Sequence, residues 1–307
     1  MTAALIISAG RTDRKDRFSP ERKIGKISAI ERIALQFKTI GIQRIVVVED
    51  EQKLPQKFVS SMNLIFLTVP ANGEMLDSIR QGLLYLKNKC TEVIISYVDV
   101  PMFSRKTLQT LLLTEEHVCI PSCRGKCGHP ILLRASCFEA IISYHGSNGL
   151  KGAIEAAGIK RRIVEVDDEG ILSDMQAGKS YETLAADHEL SELRASCQIK
   201  ISREKVFYGP GAHHLLQLTE ESGSLLNACQ HMGMSYTKGR KIISTMEEQM
   251  GTPVLETQQG GKTGGGSRLT KAAKGMMVSY SAFQEEAEAA LQEIFKKHFS
   301  EIMKGSC

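Results

Sequence analysis

Along residues 1–190, short runs of Val, Ile and Leu alternate with stretches in which apolar residues recur every three or four positions. The runs predict buried strands, and the stretches between them predict amphipathic helices. Buried strands that alternate with helices are typical of a mostly parallel sheet with helices on both faces. The predicted strands are Leu5–Ile7, Arg44–Val48, Leu64–Thr68, Val93–Tyr97, Val118–Pro121, Pro130–Leu133 and Arg162–Val166. The predicted helices are Ile27–Thr39, Leu76–Lys87, Ser104–Leu113, Ser136–Tyr144 and Gly149–Ala157.

The pattern changes after Glu189, where the polar segment Ser191–Gln198 predicts a connector. We therefore expect one domain at residues 1–190 and a second at 198–307. The second domain opens with a predicted strand, Ile199–Val206, which the sequence Gly209-Pro210-Gly211 ends. The segments that follow are three predicted helices, His213–Glu221, Ser224–His231 and Ser235–Met250, then the Gly-rich Thr252–Arg268 and the long amphipathic helix Lys271–Lys304.

Composition excludes several classes of protein. Of 307 residues, 42% are hydrophobic and 24% charged, which is ordinary for a globular chain. No apolar run is long enough to cross a bilayer and the start lacks a signal-peptide pattern, so we expect a cytoplasmic protein. Its eight cysteines are then expected to be reduced thiols. The spacing of Cys119, Cys123 and Cys127 departs from common zinc-site spacing, and we interpret them as small hydrophobic residues rather than ligands.

The first predicted strand leads directly into Ser8-Ala9-Gly10 and a basic run that contains Arg11, Arg14 and Arg17. In α/β folds, a turn at the carboxyl edge of the sheet is where phosphate groups bind. Gly lets the backbone approach the ligand closely, and guanidinium groups offset the negative charge of the anion. The turn therefore predicts a phosphate-binding site.

The turn Ser8–Arg14 resembles the nucleotide-binding opening of the molybdenum-cofactor nucleotidyltransferases, Ala-Ala-Gly-x-Ser-x-Arg-Met-Gly. Three later segments resemble motifs of that family in the same order. Asn72–Leu83 resembles its Gly-Met…Ser-Ile…Gly-Leu element, Val98–Pro101 its Gly-Asp-Met-Pro, and Gly128–Pro130 its Gly-His-Pro. The resemblance covers about residues 3–187 and implies a Rossmann-like nucleotidyltransferase domain.

The family's reaction is attack by the terminal phosphate of molybdopterin on the α-phosphate of an NTP, with release of pyrophosphate. Such a site must neutralise charge and align the nucleophile with the leaving group. Ala9 in the turn is similar to the cytidylyltransferase branch, which favours CTP. The resemblance implies catalytic roles for Arg14, Arg17 and Asp99, nucleotide binding by Ser8, Ala9, Gly10, Arg11, Gly73 and Ser78, substrate binding by Gly128, His129 and Pro130, and Mg²⁺ ligation by Asp99 and Asp174.

Three positions depart from the family pattern. Asp16 replaces a Gly and Arg17 stands for a Lys in the phosphate loop, and Gln176 replaces a carboxylate that would be a better Mg²⁺ ligand. An alternative is therefore a regulator whose first domain binds nucleotide or molybdopterin as a sensor, without turnover. Each of three site residues also has a purely structural interpretation. Asp99 would then cap a turn, Arg14 would be a solvated surface charge, and His129 would be a structural histidine.

In the second domain, Ser224 and Ser235 are good N-caps for two predicted helices, and Gly233 lies in the turn between them. This order predicts a helix-turn-helix. The segments Pro253–Thr257 and Ser267–Thr270, joined by Gly260–Gly266, predict a two-stranded wing.

Residues 198–300 resemble the winged-helix domain of the molybdate-responsive transcription regulators, most clearly in Phe207–Gly211, Met232–Tyr236 and Gly260–Thr270. From Lys200 to Lys274 there are 10 Lys or Arg and 6 Asp or Glu, which fits contact with double-stranded DNA. The acidic helix that follows would form a homodimer. The residues expected to contact DNA are Ser235, Tyr236, Thr237, Lys238, Arg240, Lys241, Lys262 and Arg268.

Together these patterns predict an α/β nucleotidyltransferase domain followed by a winged helix-turn-helix domain with a long C-terminal helix. The leading hypothesis is an Mg²⁺-dependent transfer of CMP, or another nucleotide, to molybdopterin, fused to a DNA-binding regulator.

Overall fold

A computed structural model describes residues 1–9, 23–50, 62–70, 73–172, 195–257 and 266–304. Within them the chain forms two compact units. The first is built from residues 1–50 and 64–172, and the second mainly from residues 195–304. None of the helices in these described residues is long and apolar enough to span a membrane.

The first unit is built on a mostly parallel sheet, as the sequence predicts. Its strands are β1 Thr2–Ile7, β2 Lys23–Ile24, β3 Ile27–Ser28, β4 Arg44–Asp50, β5 Leu64–Val69, β6 Glu92–Tyr97, β7 Val118–Cys123, β8 Lys126–Cys127, β9 Ile131–Arg134 and β10 Arg161–Glu165. Among the described residues the strand order of the sheet is β10-β7-β9-β6-β1-β4-β5, with β8 paired to β7. Strand β1 is parallel to both β4 and β6, and β4 is parallel to β5, so their carboxyl ends share one edge.

Strand β9 is antiparallel to both of its neighbours, β6 and β7. Its first residue, Ile131, pairs with Ile95 near the end of β6. The residues just before β9 therefore lie at the same edge as the residues just after β6. This reversal brings two distant motifs to one place in the fold.

Helices pack on the sheet through apolar residues at helical spacing. In the helix Met75–Leu86, the residues Leu76, Ile79, Leu83 and Leu86 are all buried, which follows the three- and four-residue spacing of one helix face. The helices of this unit are α1 Ala29–Thr39, α2 Met75–Leu86, α3 Arg105–Leu112, α4 Phe138–Ile142 and α5 Gly149–Ala156, with short 3-10 turns at Ala135–Cys137 and Glu169–Ile171.

The second unit begins with a hairpin and continues with helices. The predicted strand Ile199–Val206 is wrong, because the chain turns back at Arg203, whose N–H donates to the carbonyl of Lys205 (3.2 Å). The result is two short antiparallel strands, β11 Ile201–Ser202 and β12 Val206–Tyr208. The elements that follow are α6 Pro210–Ser222, α7 Leu225–His231, α8 Tyr236–Met250, the antiparallel pair β13 Leu255–Thr257 and β14 Ser267–Leu269, and α9 Lys271–Lys304.

Candidate functional site

The end of β1 is held between β4 and α2. The amides of Ser8 and Ala9 both donate to the carbonyl of Val48, at 2.9 and 3.1 Å. The hydroxyl of Ser78, one turn into α2, donates to the carbonyl of Ala9 at 3.1 Å. Three of the predicted nucleotide-binding residues, Ser8, Ala9 and Ser78, therefore lie together at the carboxyl edge of the sheet.

The start of α2 lies beside this turn. Gly73 precedes the N-cap Glu74, and its amide donates to the carbonyl of Pro70 at 3.1 Å. Glu74 and Asp77 form a capping box at this helix end, in which the amide of Glu74 donates to the carboxylate of Asp77 at 3.1 Å. Gly73 and Ser78 thus lie on either side of this capped helix end.

Asp99 follows β6 at the same edge. The flanking amides fix its turn, because Val98 donates to the carbonyl of Ile7 (3.1 Å) and Val100 to that of Tyr97 (3.0 Å). Val98 and Met102 are buried in a cluster with Ile24 and Ala29. Asp99 is half-buried, and its neighbour Val98 is hydrogen-bonded to the end of β1, where the sequence predicts the phosphates.

The Gly128-His129-Pro130 segment lies between β8 and β9. The amide of Gly128 donates to the carbonyl of Pro121 (2.9 Å), and that of His129 donates to the carbonyl of Ile171 (2.8 Å). A Cβ on Gly128 would lie 2.2 Å from the oxygen of Ile171, closer than any real contact. Glycine is required here because the two backbones touch.

The ring of His129 packs against Tyr97, with ring centroids 4.2 Å apart. Burial lowers the pKa of His129 from 6.5 to about 4, so its imidazole is neutral at physiological pH. Its Nδ1 is buried without a hydrogen-bond partner among the described residues. Burial, together with the charge of Asp99, raises the pKa of Tyr97 to about 12. Tyr97, which the sequence did not single out, thus connects the Asp99 turn with His129.

A cavity of about 550 Å³ opens beside these two rings. Its walls are largely aliphatic, with residues such as Ile79 from α2, Ile131 from β9 and Ile154 from α5. Such a cavity, apolar with a few polar groups, is the usual form of a small-molecule site. The polar side chains that line it are Tyr97, His129, Asn148, Lys151 and Arg161.

Of the two residues predicted to bind Mg²⁺, the structure describes Asp99. Among the described residues, no group of three or more His, Cys, Asp or Glu side chains could hold a metal. Mg²⁺ in phosphoryl-transfer sites commonly takes only one or two carboxylates, and substrate phosphates and water complete its shell. A half-buried Asp99 at the sheet edge fits that pattern.

The seven described cysteines, which include Cys119, Cys123 and Cys127, are free thiols.

In the second unit, α7 and α8 form the predicted pair of helices. The hydroxyl of Ser235 caps α8, because it accepts a hydrogen bond from the amide of Lys238 (3.3 Å). Ser224 caps α7 in the same way. Gly239 lies against Cys229 of α7, and a Cβ there would be 2.2 Å from its sulfur. The close crossing of these helices therefore depends on Gly239.

The first turns of α8 present polar side chains to solvent, while Ile243 and Met246 are buried. The ring of Tyr236 is 47% exposed. The exposed residues predicted to contact DNA are Ser235 at the N-cap of α8, Tyr236, Thr237, Lys238, Arg240 and Lys241 on α8, and Arg268 on β14.

A buried polar cluster anchors the start of α9. The Tyr208 hydroxyl lies 3.0 Å from Nδ1 of His213, and the Ser281 hydroxyl lies 3.3 Å from its Nε2. Tyr280 donates to the carbonyl of Ile199 at 2.9 Å. Burial lowers the pKa of His213 and raises that of Tyr208. Sequence reasoning missed this cluster, because its members come from separate elements.

Several predicted residues lie outside the described part of the chain. They are Gly10, Arg11, Arg14, Asp16, Arg17, Asp174, Gln176 and Lys262.

Comparison with known proteins gives a different result for each part of the chain. The sequence pattern of the MobA-like NTP transferase domain matches residues 4–163. The C-terminal part matches molybdenum-related proteins. The chain is 30% identical over 95 residues to the molybdenum-pterin-binding protein MopB of Rhodobacter capsulatus, which is 30% of this chain and 35% of that protein. It is 28% identical over 88 residues to the transcriptional regulator ModE of Haemophilus influenzae, which is 29% of this chain and 34% of that protein.

The chain thus spans about a third of the length of the curated relatives it matches. Among solved structures, a nucleotidyl transferase from a Methanothermobacter species superposes with a TM-score of 0.50. It is 15% identical, and the match covers 61% of this chain and 95% of that one. At this identity the likeness shows the fold alone.

Proposed function

The chain belongs to the MobA-like NTP transferase family through residues 4–163, and on that premise we propose that its first domain, residues 1–190, transfers a nucleotide from an NTP to molybdopterin. The observation that supports this most strongly is the convergence at one sheet edge. The β1 turn, the start of α2, Asp99 and His129 come together there, and a cavity opens beside His129.

The reaction is an in-line displacement. An oxygen of the acceptor's terminal phosphate forms a bond to the α-phosphorus, and the bond from that phosphorus to the bridging oxygen breaks, so pyrophosphate leaves. The β1 turn would hold the phosphates, and Arg11, Arg14 and Arg17 would neutralise them. Asp99, with Asp174, would hold Mg²⁺, which offsets charge on the phosphates.

The acceptor would occupy the cavity. His129 lines the cavity with a neutral imidazole and would pack against the pterin. Lys151 and Arg161 at the same cavity suit an anionic phosphate. Ala9 in the β1 turn supports CTP as the nucleotide, by its likeness to the cytidylyltransferase branch.

We further propose that the second domain, residues 198–307, is a winged helix that binds double-stranded DNA. The exposed, capped and basic start of α8, with Arg268 on the strand pair, supports this, and so does similarity to a transcriptional regulator. Helix α9 would join two copies of the chain. Phe283, Ala287, Ala290 and Ile294 share one face of it, and Phe283 and Ile294 are 53% and 57% exposed. Both activities fit a cytoplasmic protein.

The alternative is a transcription regulator whose first domain senses nucleotide or molybdopterin without turnover. The replacement of a carboxylate by Gln176 favours it, because an amide is a weaker Mg²⁺ ligand.

The test is pyrophosphate release by the full chain with Mg²⁺ and molybdopterin, with CTP, GTP and ATP supplied in turn. We expect release with CTP that is lost in Asp99→Ala. No release from the wild-type chain, together with tight binding of nucleotide or molybdopterin, would support the sensor instead.

A further inference from the structure

Asp168 makes a set of contacts that the family motifs do not include. Its Oδ2 accepts the amide of Ser104 at 2.8 Å and the hydroxyl of Thr107 at 2.5 Å. Its Oδ1 accepts the amide of Gly170 at 2.9 Å. One carboxylate therefore caps two elements at once, the start of α3 and the 3-10 turn Glu169–Ile171.

These two elements carry the two halves of the proposed site. Ser104 ends the turn that begins after β6 and contains Asp99. Ile171, at the end of the 3-10 turn, accepts the amide of His129 (2.8 Å) and touches the backbone of Gly128. Asp168 is thus a hydrogen-bonded link between the Asp99 turn and the loop that presents His129.

The link is closely packed as well as hydrogen-bonded. A Cβ on Gly170 would lie 1.9 Å from the carbonyl oxygen of Met102, so the backbones of the two elements are in direct contact. The rings of Tyr97 and His129 pack against each other at an interplanar angle of 59°. These contacts, with the chain segments that join them, link Tyr97, Asp99, Ser104, Asp168, Ile171 and His129 in a ring. The ring closes where His129 packs on Tyr97.

We propose that Asp168 is a positioning residue, which fixes the distance between the carboxylate of Asp99 and the imidazole of His129. The proposal rests on the proposed function, because it assigns Asp99 to the nucleotide and His129 to the acceptor. A carboxylate suits the task because it accepts several hydrogen bonds, whereas an amide presents an NH₂ group to one of the same donors. A small shift between two bound reactants lowers the rate far more than it lowers the affinity for either one.

The experiment compares Asp168→Asn with Glu92→Gln in the full chain. Glu92 is a matched control, because it is a buried carboxylate that accepts from Thr2 (2.5 Å) and pairs with Arg134, at the opposite end of β6 from Asp99. Thr107→Val, which removes one donor to Asp168, is the milder variant. The readouts are the melting temperature, kcat and KM for the NTP, and hydrogen exchange at the amides of Ser104, His129 and Gly170.

We expect Asp168→Asn to lower kcat roughly 10- to 100-fold with little change in the NTP KM. In Asp168→Asn, hydrogen exchange at these three amides should accelerate while exchange in β1 stays slow. Thr107→Val should change kcat and amide exchange in the same direction, but by less. Glu92→Gln should lower the melting temperature but leave kcat and these amides unchanged. Equal losses of kcat in the Asp168 and Glu92 variants, or unchanged exchange at the three amides, would overturn the proposal. If the wild-type chain has no turnover, the proposed function fails while exchange still decides the positioning role.

Discussion

The crossing of α7 and α8 gives a quantitative prediction. Gly239→Ala places a Cβ 2.2 Å from the sulfur of Cys229, well inside the 3.4–4 Å of ordinary contact. The sulfur belongs to a fully buried side chain and has little room to move. The substitution therefore forces α7 and α8 apart or strains both.

The magnitude follows from two opposing contributions. Ala in place of Gly within a helix stabilises by about 1 kcal/mol. Overpacking a buried contact costs about 1–3 kcal/mol. Gly275 on α9 is the matched control, because a Cβ there would meet nothing within 4 Å among the described residues. We expect Gly275→Ala to be neutral or stabilising and Gly239→Ala to unfold at a lower temperature, by on the order of 10 °C relative to it.

Cys229→Ala supplies the rescue. It removes the sulfur that the new Cβ would strike, so the double variant should be more stable than the sum of the two single changes by about 1 kcal/mol or more. Calorimetry measures the effect on the full chain, and hydrogen exchange of α7 and α8 locates it. Equal stability of the Gly239 and Gly275 variants, or additive effects in the double variant, would refute the reasoning.

Two further predictions concern the proposed binding groups. Burial lowers the pKa of His129 from 6.5 to about 4. Between these two pH values, His129 is protonated in the unfolded chain but not in the folded chain. Stability therefore falls as the pH falls through this range, by up to about 3 kcal/mol, and denaturation of His129→Gln should lack this part of the loss. Lys238→Ala with Arg240→Ala should weaken DNA binding and reduce the salt slope by about 2 if each contacts a phosphate. If the salt dependence of DNA binding is unchanged, this face of α8 does not contact the DNA.

The sheet was predictable from sequence because its strands are continuous apolar runs. The predicted strands Arg44–Val48 and Leu64–Thr68 are within two residues of β4 and β5. Element ends were less predictable. The first helix was expected from Ile27 but begins at Ala29, since Ser28 and Glu31 cap each other through side chain and backbone. The hairpin in the predicted strand Ile199–Val206 was missed because local β-propensity does not show where a chain turns back.

The proposed site was predictable only in part. Asp99 and His129 belong to motifs that are contiguous in sequence, so their candidacy could be stated in advance. Tyr97 and Asp168 gain their roles from contacts with partners 32 or more positions away, at His129 for the first and at Ser104 and Thr107 for the second. The antiparallel direction of β9, which brings His129 to Tyr97, leaves no local signal in sequence.

The most direct test of the central claim follows the α-phosphorus of the nucleotide. The full chain is incubated with Mg²⁺, molybdopterin and CTP labelled at the α-phosphorus, and the label in the pterin product is measured. We predict that the label enters a molybdopterin dinucleotide as pyrophosphate is released, and that Asp99→Ala abolishes the transfer. Label that stays in CTP, although the chain binds both ligands, would contradict the account.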